Sequence, residues 1–532
     1  MRIAKFLVVC ALPWATAMTM MTQAPQWIGA PSTVGATGRD QDRDLDQRLR
    51  ATLAAAGFTG DIERTFQKKI KASLGRPIDP RLADLGRLLF FDSIQALGRD
   101  NSCAGCHSPT HAMGDSQPIA IGIQNNGIVG PSRTGPRNQR RSPTVINTAL
   151  FPRLMWNSRF ESLSGDPFDP SQGFSFAIPE DTFPFTPVRF SAAENAKHGV
   201  THLLQAQAHM PPTELVEMGG FEGTCPNGVA DPTLGSRFCQ FDLNFGPALP
   251  VPPPDDSGFR NEPVRQATLV GLNNSAEYRR LFGQVFNEIR RGAPIDFFHL
   301  GKAIAEFEFT LVFANAPIDR FARGQANAMT DGEKRGALLF FGKADCVSCH
   351  RVDGASNEMF SDFKEHVVGV PQVFPSFGVN TGNVIFSGPG ENEDFGREER
   401  SGDPDDRYKF RTAPLRNLMA SPAFFHNGAF IRLKDAIRFH LDVVRGANQY
   451  DPDAAGVPAD LRQVGPVVPE ALIDPRLKER ISLTESELDD LVRFVGNGLS
   501  DERARKSHLC ALIPPRLPSG LPVATFEGCP SQ

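Results

Sequence analysis

Two short runs of cysteine and histidine carry the chemistry that this sequence can be expected to perform. The first is Cys103-Ala104-Gly105-Cys106-His107, and the second is Cys346-Val347-Ser348-Cys349-His350. In a Cys-x-x-Cys-His run, the two thiols can add to the vinyl groups of a haem, and the histidine becomes an axial ligand of the iron. The two runs therefore predict two covalently bound haem c groups, with His107 and His350 as iron ligands.

Closely spaced cysteines also occur in two other kinds of site. A structural zinc site needs further cysteines or histidines at paired spacing, and neither run has such a partner cluster in the sequence. A thioredoxin-like redox site would have one such pair in a βαβ context, and it requires no histidine after the pair. The haem interpretation is therefore favoured over both.

The N-terminus has the layout of a secretory signal peptide. Arg2 and Lys5 precede an apolar stretch over residues 6–15, and small residues follow at positions 15–17. A membrane anchor is the alternative, but the apolar stretch is too short to span a bilayer stably, and no later segment is long and apolar enough to do so. Because haem is attached to such motifs on the exported side, we expect a periplasmic protein without a membrane span after signal removal.

The remaining cysteines predict disulfides. Of 9 cysteines, four belong to the haem motifs, and Cys10 lies in the predicted signal peptide. An even number of remaining cysteines in an oxidising compartment suggests two bridges, for which nearest-neighbour pairing gives Cys225–Cys239 and Cys510–Cys529. Free thiols are the alternative.

Length and composition indicate the class of fold. A chain of 532 residues is too long for one hydrophobic core and predicts two or more domains. The 48 glycines and 44 prolines predict many turns and long loops, while strand patterns are sparse. The net charge of −5 argues against nucleic acid as a partner. We therefore expect a mainly helical protein with extended loops.

A short segment recurs ahead of each haem motif. Gly86-Arg87-Leu88-Leu89-Phe90-Phe91 precedes the first motif, and Gly336-Ala337-Leu338-Leu339-Phe340-Phe341 precedes the second. Two coincidentally similar amphipathic helices are the alternative. The shared Leu-Leu-Phe-Phe block shortly before a cysteine favours a tandem duplication of one haem-binding unit.

Two further helices can be predicted in the second half of the chain. Apolar residues at helical spacing predict a helix over residues 296–313, which leads into the second unit. Thr484 and Glu487 form a capping box, which predicts the start of a last helix running through Val495.

Ordered blocks between residues 80 and 498 accompany the haem motifs. They are Leu88-Leu89-Phe90-Phe91-Asp92, Arg141-Ser142-Pro143-Thr144-Val145-Ile146-Asn147, Met155-Trp156-Asn157-Ser158-Arg159, Val216-Glu217-Met218, Phe410-Arg411-Thr412-Ala413-Pro414-Leu415-Arg416-Asn417 and Phe424-Phe425-His426-Asn427-Gly428. In this order the blocks resemble the bacterial di-haem cytochrome c peroxidase family, which includes the methylamine-utilisation di-haem enzyme.

The resemblance implies a fold and a division of the chain. The fold is expected to be mainly α, with two cytochrome c-like haem domains in tandem and long loops. The expected segments are a signal peptide over about residues 1–22, an N-terminal extension over 23–79, a peroxidatic haem domain with loop insertions over 80–295, an electron-transfer haem domain over 296–500 and a C-terminal tail over 501–532, pinned by a disulfide.

The resemblance also implies an activity. A member of this family is expected to be an oxidoreductase that reduces hydrogen peroxide with electrons from a small periplasmic redox protein, a cytochrome c or a cupredoxin. The haem at His107 is expected to react with peroxide, and the haem at His350 is expected to store and relay electrons. Two alternatives stay open: a methylamine-utilisation-like oxidase acting on a protein or organic substrate, and a non-catalytic di-haem electron carrier. A homodimer is the candidate assembly.

Two side chains receive catalytic roles by the same resemblance. Glu217 is expected to move a proton between the two oxygens of peroxide, as a carboxylate near an open iron position can do. An exposed loop glutamate is the alternative. Trp156 matches the family's tryptophan between the haems and is expected to couple them. A core tryptophan at a domain interface is a compatible alternative.

Several positions depart from the family pattern. The segment Ile121-Gly122-Ile123-Gln124 has no histidine where the family's peroxidases carry a distal one, which predicts an open first haem that needs no reductive activation. The column of the second haem's distal methionine falls on Pro422, so the nearby Met419 is the candidate distal ligand, with a core methionine as the alternative. His426 belongs to the family's structural signature and is not assigned as a ligand. The asparagine of the family's calcium site aligns near Arg141, so Ca²⁺ is only a candidate cofactor.

Overall fold

Helices supply most of the regular structure, which confirms the mainly α fold class. The computed structural model describes residues 38–176, 190–230, 236–242, 249–256, 258–353, 357–375 and 392–530. The predicted signal peptide over residues 1–22 lies outside these ranges. Within the described part of the chain, no helix has the length and apolar character needed to cross a bilayer.

The α-helices are spread unevenly over the described chain, and the described residues between Cys106 and Ala192 contain none. Those before residue 296 are α1 (Gly38–Ala55), α2 (Ile62–Leu74), α3 (Pro80–Phe91), α4 (Cys103–Cys106), α5 (Ala192–His198), α6 (Leu203–Gln207), α7 (Asn261–Asn274), α8 (Ala276–Val285) and α9 (Asn287–Arg290). Those after it are α10 (Phe297–Phe309), α11 (Pro317–Ala322), α12 (Asp331–Phe341), α13 (Glu398–Ser401), α14 (Leu433–His440), α15 (Val443–Asn448), α16 (Pro475–Lys478), α17 (Glu485–Arg493) and α18 (Lys506–Leu509).

The strands are only two or three residues long. They are β1 (Ile128–Val129), β2 (Arg153–Leu154), β3 (Phe160–Ser162), β4 (Phe174–Phe176), β5 (Glu365–His366), β6 (Val373–Phe374), β7 (Phe410–Arg411), β8 (Gln463–Val464) and β9 (Thr525–Phe526). Strands β2, β3 and β4 form an antiparallel sheet, β5 pairs with β7 and β6 with β8 in antiparallel fashion, and β1 pairs with β9 in parallel. The β1–β9 pair joins the C-terminal tail to the segment that follows the first haem motif.

The recurring Leu-Leu-Phe-Phe segment lies in helices α3 and α12, and the two helices are packed in the same way. A Cβ atom at Gly86 of α3 would overlap the carbonyl oxygen of Ala303 in α10. A Cβ atom at Gly336 of α12 would overlap the carbonyl oxygen of Asp490 in α17. In each copy, therefore, a glycine allows the helix before the haem motif to cross a second helix at close range.

The aromatic contacts of the two copies also correspond. The ring centroids of Phe90 and His107 are 6.3 Å apart with an interplanar angle of 46°. The centroids of Phe340 and His350 are 6.4 Å apart with an angle of 50°. The first phenylalanine of each Leu-Leu-Phe-Phe segment therefore contacts the motif histidine with matching geometry in both copies.

Helix α10 begins as the sequence predicts but ends before residue 313. Asp296 caps its N-terminus by accepting from the backbone N–H of His299 at 3.0 Å. At the other end, Asn147 takes the backbone groups that a longer helix would use. Its side chain accepts from the N–H of Phe313 at 2.7 Å, and its own N–H donates to the carbonyl of Leu311 at 3.1 Å. The helix therefore stops at Phe309.

The predicted capping box at the start of α17 is confirmed. Thr484 accepts from the N–H of Glu487 at 3.2 Å, and the Glu487 carboxylate accepts from the N–H of Thr484 at 2.8 Å. The helix continues as a single wide π-helical turn over Phe494–Gly498. It is not the last helix, because α18 follows it.

Both predicted disulfides are present. Cys225 pairs with Cys239, and Cys510 pairs with Cys529. They lie in one compact unit that extends from Asp44 to Gln532. The second bridge closes the tail just beyond β9, so the sequence-based pairing by nearest neighbours is confirmed.

Candidate functional site

Each cysteine motif lines its own cavity. Cys103, Cys106 and His107 line the first cavity. Cys346, Cys349 and His350 line the second cavity. Both motifs fold as a helical turn, in which the N–H of the histidine donates to the carbonyl of the first cysteine at 2.9 Å. Because residues three and four apart share a helical face, this turn presents both thiols and the imidazole to the same space.

The imidazole rings of the two motifs are held alike. Nδ1 of His107 lies 2.9 Å from the carbonyl oxygen of Pro143, and Nδ1 of His350 lies 2.9 Å from that of Phe360. A carbonyl can only accept, so each Nδ1 carries the proton and each Nε2 is the basic nitrogen. Burial lowers the pKa of both imidazoles to about 4, which keeps them neutral as metal ligation requires.

The four motif cysteines fit covalent haem better than a metal–thiolate site. None of the four is in a disulfide. Burial raises the pKa of Cys106 to about 11 and that of Cys346 to about 12, so both are neutral thiols. Among the described residues there is no group of three or more His, Cys, Asp or Glu that could hold a metal ion. The described residues therefore add no further ligand for zinc to either motif, whereas two cysteines and an imidazole that line one cavity suit haem c.

Glu217 lines the first cavity together with the motif. It lies in a single π-helical turn over Leu215–Gly219, a conformation often found at functional sites. Asn101 donates through Nδ2 to the carbonyl of Glu217 at 2.8 Å, and a Cβ atom at Gly122 would overlap the carbonyl of Val216. The backbone around Glu217 is therefore fixed against the segments that flank the haem motif.

The electrostatic setting of Glu217 favours its protonated form. Burial raises the pKa of its carboxyl group, and the nearby positive charge of Arg159 partly opposes this shift. The guanidinium of Arg159 also donates to the carboxylate of Glu214 at 2.7 Å, so its positive charge acts on both Glu214 and Glu217. Glu217 is thus a half-buried cavity residue and not an exposed loop glutamate.

A second glutamate lines the first cavity and was not identified from the sequence. Glu308 is buried in helix α10, and this burial raises its pKa to about 8. Its position in the sequence could have indicated it, because Glu308 comes four residues after Ile304 and so lies on the apolar side of the predicted helix. A charged residue at an otherwise apolar position indicates either a partner or a function.

One wall separates the two cavities. Pro143, Thr144, Phe151 and Arg411 line both of them. The carbonyl of Pro143 is also the acceptor for His107, so this wall begins at the first motif histidine. A chain of packed groups therefore runs from the first cavity to the second.

Trp156 lines the second cavity beside this wall. Its indole Nε1 donates to the carbonyl of Arg141 at 2.7 Å, and its own carbonyl accepts from the N–H of Arg411 at 2.7 Å. The ring of Trp156 is thus fixed by a backbone contact beside residues that line both cavities, and its role between the haems stays a prediction.

Met419 is placed differently from the other predicted site residues. It is 58% exposed, and it is not among the residues that line the second cavity. Its sulfur packs near Gly496, where an added Cβ atom would lie 2.7 Å from it. The neighbouring Leu418 lines the cavity instead. The assignment of Met419 as a distal ligand stays a prediction.

Histidines are distributed unequally between the cavities. His107 is the one histidine among the described residues that line the first cavity. The second cavity is lined by His111, His350, His366, His426 and His440. His440 was not singled out from the sequence.

Arg141 occupies the position that was considered for calcium. Its guanidinium donates to the carbonyls of Gln117 at 2.9 Å and Asp115 at 3.1 Å, and to Oγ of Ser421 at 3.0 Å. Its backbone N–H donates to the carbonyl of His426 at 2.7 Å. The guanidinium of Arg141 thus donates the hydrogen bonds that these three oxygens accept.

Comparison with known proteins places these features in a family context. Residues 80–327 match the family model described as di-haem cytochrome c peroxidase. This range contains the first haem motif, Glu217 and Trp156.

Relatives with related names align over most of the chain. The cytochrome-c peroxidase IdrP2 of Pseudomonas sp. strain SCT is 26% identical, over 74% of this chain and 84% of that protein. The methylamine utilization protein MauG of Methylophilus methylotrophus is 24% identical, over 70% of this chain and 75% of that protein. The cytochrome c551 peroxidase of Pseudomonas aeruginosa is 25% identical, over 68% of this chain and 72% of that protein.

Proposed function

The chain belongs to the di-haem cytochrome c peroxidase family, and from this premise we propose that it reduces hydrogen peroxide in the periplasm with electrons from a small redox protein. Membership makes it an oxidoreductase of the peroxidase type. The donor, a cytochrome c or a cupredoxin, and the compartment are part of the proposal. The observation that carries it is the presence of Glu217 in the same cavity as the first haem motif.

Two tandem haem domains are part of this proposal. The thiols of Cys103 and Cys106 would hold one haem c, with His107 as its axial ligand. Cys346, Cys349 and His350 would hold the other in the same way. The matching glycine crossings and phenylalanine–histidine contacts of the two copies support a duplicated haem-binding unit.

The division of labour follows from the residues around each motif. When bound, haem iron would supply a redox centre at each motif, one that reacts with peroxide at the first and one that stores an electron at the second. The residues of the first cavity must then bind peroxide, exclude bulk water and handle its protons. A buried carboxyl group is suited to the last of these tasks.

Glu217 is the group that handles the protons. In its carboxylate form, which the charge of Arg159 favours, it would take the proton from one peroxide oxygen and pass it to the other, so that this oxygen leaves as water when the O–O bond breaks. Two electrons from the donor protein, passed on through the haems, and two protons from solvent would convert the remaining oxygen into the second water. Burial raises the pKa of Glu217, so the difference in free energy between its two protonation states near neutral pH is smaller than for an exposed glutamate. Arg159 prevents the pKa from rising further.

The wall between the cavities carries the electrons in this proposal. Trp156 is held by the Arg141 carbonyl and linked to Arg411 through its backbone, and Arg411 lines both cavities. Because the indole ring is fixed beside this wall, it need not change position between successive electron transfers. Trp156 is therefore proposed as the coupling residue.

Steady-state turnover tests the proposal directly. Hydrogen peroxide should oxidise one member of a panel of reduced cytochromes c and cupredoxins, catalysed by the mature di-haem protein. Oxidation of an added protein or organic substrate without any donor would favour the methylamine-utilisation-like alternative. Failure of peroxide to oxidise any donor, with both haems attached, would favour a simple electron carrier.

The substitution Glu217→Gln tests the assigned proton carrier. The amide keeps the shape of the side chain but cannot take up a proton, so kcat/KM for peroxide should fall by about 10²–10⁴-fold, the range usual for a general acid–base. Haem content should stay at two per chain. Glu222→Gln, outside the cavity, is the matched control and should retain activity. Unchanged turnover in Glu217→Gln would contradict the role.

A further inference from the structure

We propose that His440 is the axial ligand opposite His350, so that the second haem is a bis-histidine centre. This inference rests on the proposed function, because it assumes that a haem is attached at Cys346 and Cys349. It replaces the prediction of Met419 with a residue that lines the second cavity.

Helix α14 delivers His440 to the second cavity. The residues of this helix that line the cavity are Leu433, Ala436, Ile437 and His440. They recur at intervals of three or four residues, which is the spacing of one helical face. His440 is the last residue of the helix, so its imidazole extends the apolar face with a single basic group. Regular helix geometry therefore places His440 in the wall of the second cavity.

The distance between the two imidazoles matches the space that an iron needs. The ring centroids of His350 and His440 are 6.4 Å apart. Two metal–nitrogen bonds of about 2 Å each, with a ring radius at either end, span about 6 Å in total. The rings come from different parts of the chain, the haem motif turn and α14. Two histidines at this spacing are typical ligands for one metal centre between them.

The hydrogen bonds of both rings leave the required nitrogen available. Nδ1 of His350 is held by the carbonyl of Phe360, and Nδ1 of His440 is held by the carbonyl of Ala436, each at 2.9 Å. A backbone carbonyl on Nδ1 fixes the tautomer that leaves Nε2 basic, and metal-bound histidines are almost always anchored this way. Among the described residues, the hydrogen bond of the His440 ring is the one that Nδ1 makes, so its Nε2 faces the cavity without a hydrogen-bond partner. Phe425 stacks on His440 at 5.1 Å and holds its plane.

The other three histidines of the cavity have contacts of their own, and Nδ1 of His111 lies 2.7 Å from Oγ1 of Thr110. His366 is bound through both nitrogens, to Asp474 at 2.9 Å and to Asp362 at 3.0 Å. His426 stacks on Phe410 at 3.7 Å, and its Nε2 lies 3.9 Å from Asp394.

Ring contacts separate His440 from these residues. Among the described residues, the rings in contact with His350 are Phe340 and His440. His440 is therefore the histidine whose position suits the far side of the iron.

This ligand has a consequence for the role of the second haem. Replacing methionine by histidine as the sixth ligand lowers the reduction potential, because methionine ligation raises it. A haem closed by two histidines also has no free position for peroxide. The second haem would therefore be a stronger reductant than a His/Met haem and would act only as an electron relay.

Electron paramagnetic resonance and near-infrared magnetic circular dichroism of the ferric holoprotein test the assignment. The wild type should show one bis-imidazole low-spin haem. In His440→Ala this signal should be lost in favour of a high-spin signal, and added imidazole should restore it. In His440→Met a methionine–iron charge-transfer band should appear, with an upward shift of that haem's midpoint potential. Haem content, measured on each variant, shows whether the chain has folded.

Two matched controls make the result decisive. Met419→Leu and His426→Gln should leave the bis-imidazole signal unchanged. Loss of the low-spin signal in Met419→Leu, or its persistence in His440→Ala without imidazole, would overturn the inference. Failure of the proposed function looks different. It would appear as fewer than two haems per chain, or as absent peroxide turnover with the bis-imidazole signal intact.

Discussion

At the scale of single residues, one arginine of the blocks that carry the resemblance forms a buried ion pair. Arg416, from the block that carried the family resemblance, donates to both carboxylate oxygens of Asp319 at 2.7 and 2.8 Å. The two side chains are 1% and 0% exposed. Nε of Arg416 also donates to the carbonyl of Glu358 at 2.6 Å. The pair joins helix α11 to the loop that closes the second cavity.

The substitution Asp319→Asn should therefore be strongly destabilising. It removes the negative charge of the carboxylate that binds the buried Arg416 guanidinium, which costs about 3–5 kcal/mol of unfolding free energy. Asp84→Asn is the control, because Asp84 pairs with Arg87 on the surface and its side chain is 57% exposed. That change should cost less than about 1 kcal/mol. Denaturant unfolding of the holoproteins measures both, and equal effects would contradict the argument.

Residue types alone could not have located every group of the site. The cysteines and motif histidines follow from their spacing, and Glu217 and Trp156 follow from the resemblance. The places of His440 and Glu308 in the cavity walls do not, because each lies beside residues far away in the sequence. His440 meets His350 across 90 positions, and only the path of the chain between them shows that the two rings are neighbours. Met419 was favoured because it is close in sequence to the expected column, but its side chain points to a different environment.

At the scale of elements, two crossings of helices support the haem motifs. Helix α12 crosses α17 at Gly336, as α3 crosses α10 at Gly86. At both crossings the backbone of one helix approaches the other without an intervening side chain. The recurrence of Leu-Leu-Phe-Phe predicted the two helices. The partner helices and the glycine contacts could not be predicted, because they depend on how the segments pack.

The substitution Gly336→Ala should separate α12 from α17. The new methyl group would overlap the carbonyl of Asp490, so the helices must move apart, at a cost of about 1–3 kcal/mol. Gly283→Ala in α8 is the matched control, since its nearest neighbours lie at an ordinary 3.4 Å. There the gain in helix propensity should stabilise the protein by up to about 1 kcal/mol. Thermal unfolding of the two variants should therefore shift in opposite directions; a stabilised Gly336→Ala would show that the crossing is not tight.

The ends of elements were harder to predict than their starts. The capping residues Asp296 and Thr484 mark the beginnings of α10 and α17, because a cap is a local contact. The end of α10 depends on Asn147, which lies in another part of the chain and takes over the backbone groups of the last predicted turn. A local sequence pattern contains no information about such a partner.

At the scale of the whole molecule, Arg141 connects the surroundings of the two haem motifs. Its guanidinium binds carbonyls of the segment after the first motif and the hydroxyl of Ser421 from the second half. Its backbone accepts the indole N–H of Trp156 and donates to the carbonyl of His426. Calcium prefers such oxygen ligands, but here the guanidinium of Arg141 already occupies them as a hydrogen-bond donor.

Calcium chelation should therefore leave this protein unaffected. We expect EGTA to change neither peroxide turnover nor the midpoint of thermal unfolding.

In Arg141→Gln the shorter, uncharged side chain cannot reach all three oxygens, and each buried acceptor left unpaired costs about 1–3 kcal/mol. The variant should unfold at lower temperature, and transfer between the haems should slow, because the carbonyl that holds Trp156 loses its support. The neighbouring Arg140, which pairs with Asp394, offers Arg140→Gln as a control that removes an equal charge without touching Trp156. Loss of turnover in the wild type on adding EGTA, with recovery on adding Ca²⁺, would show that calcium and not Arg141 makes this connection.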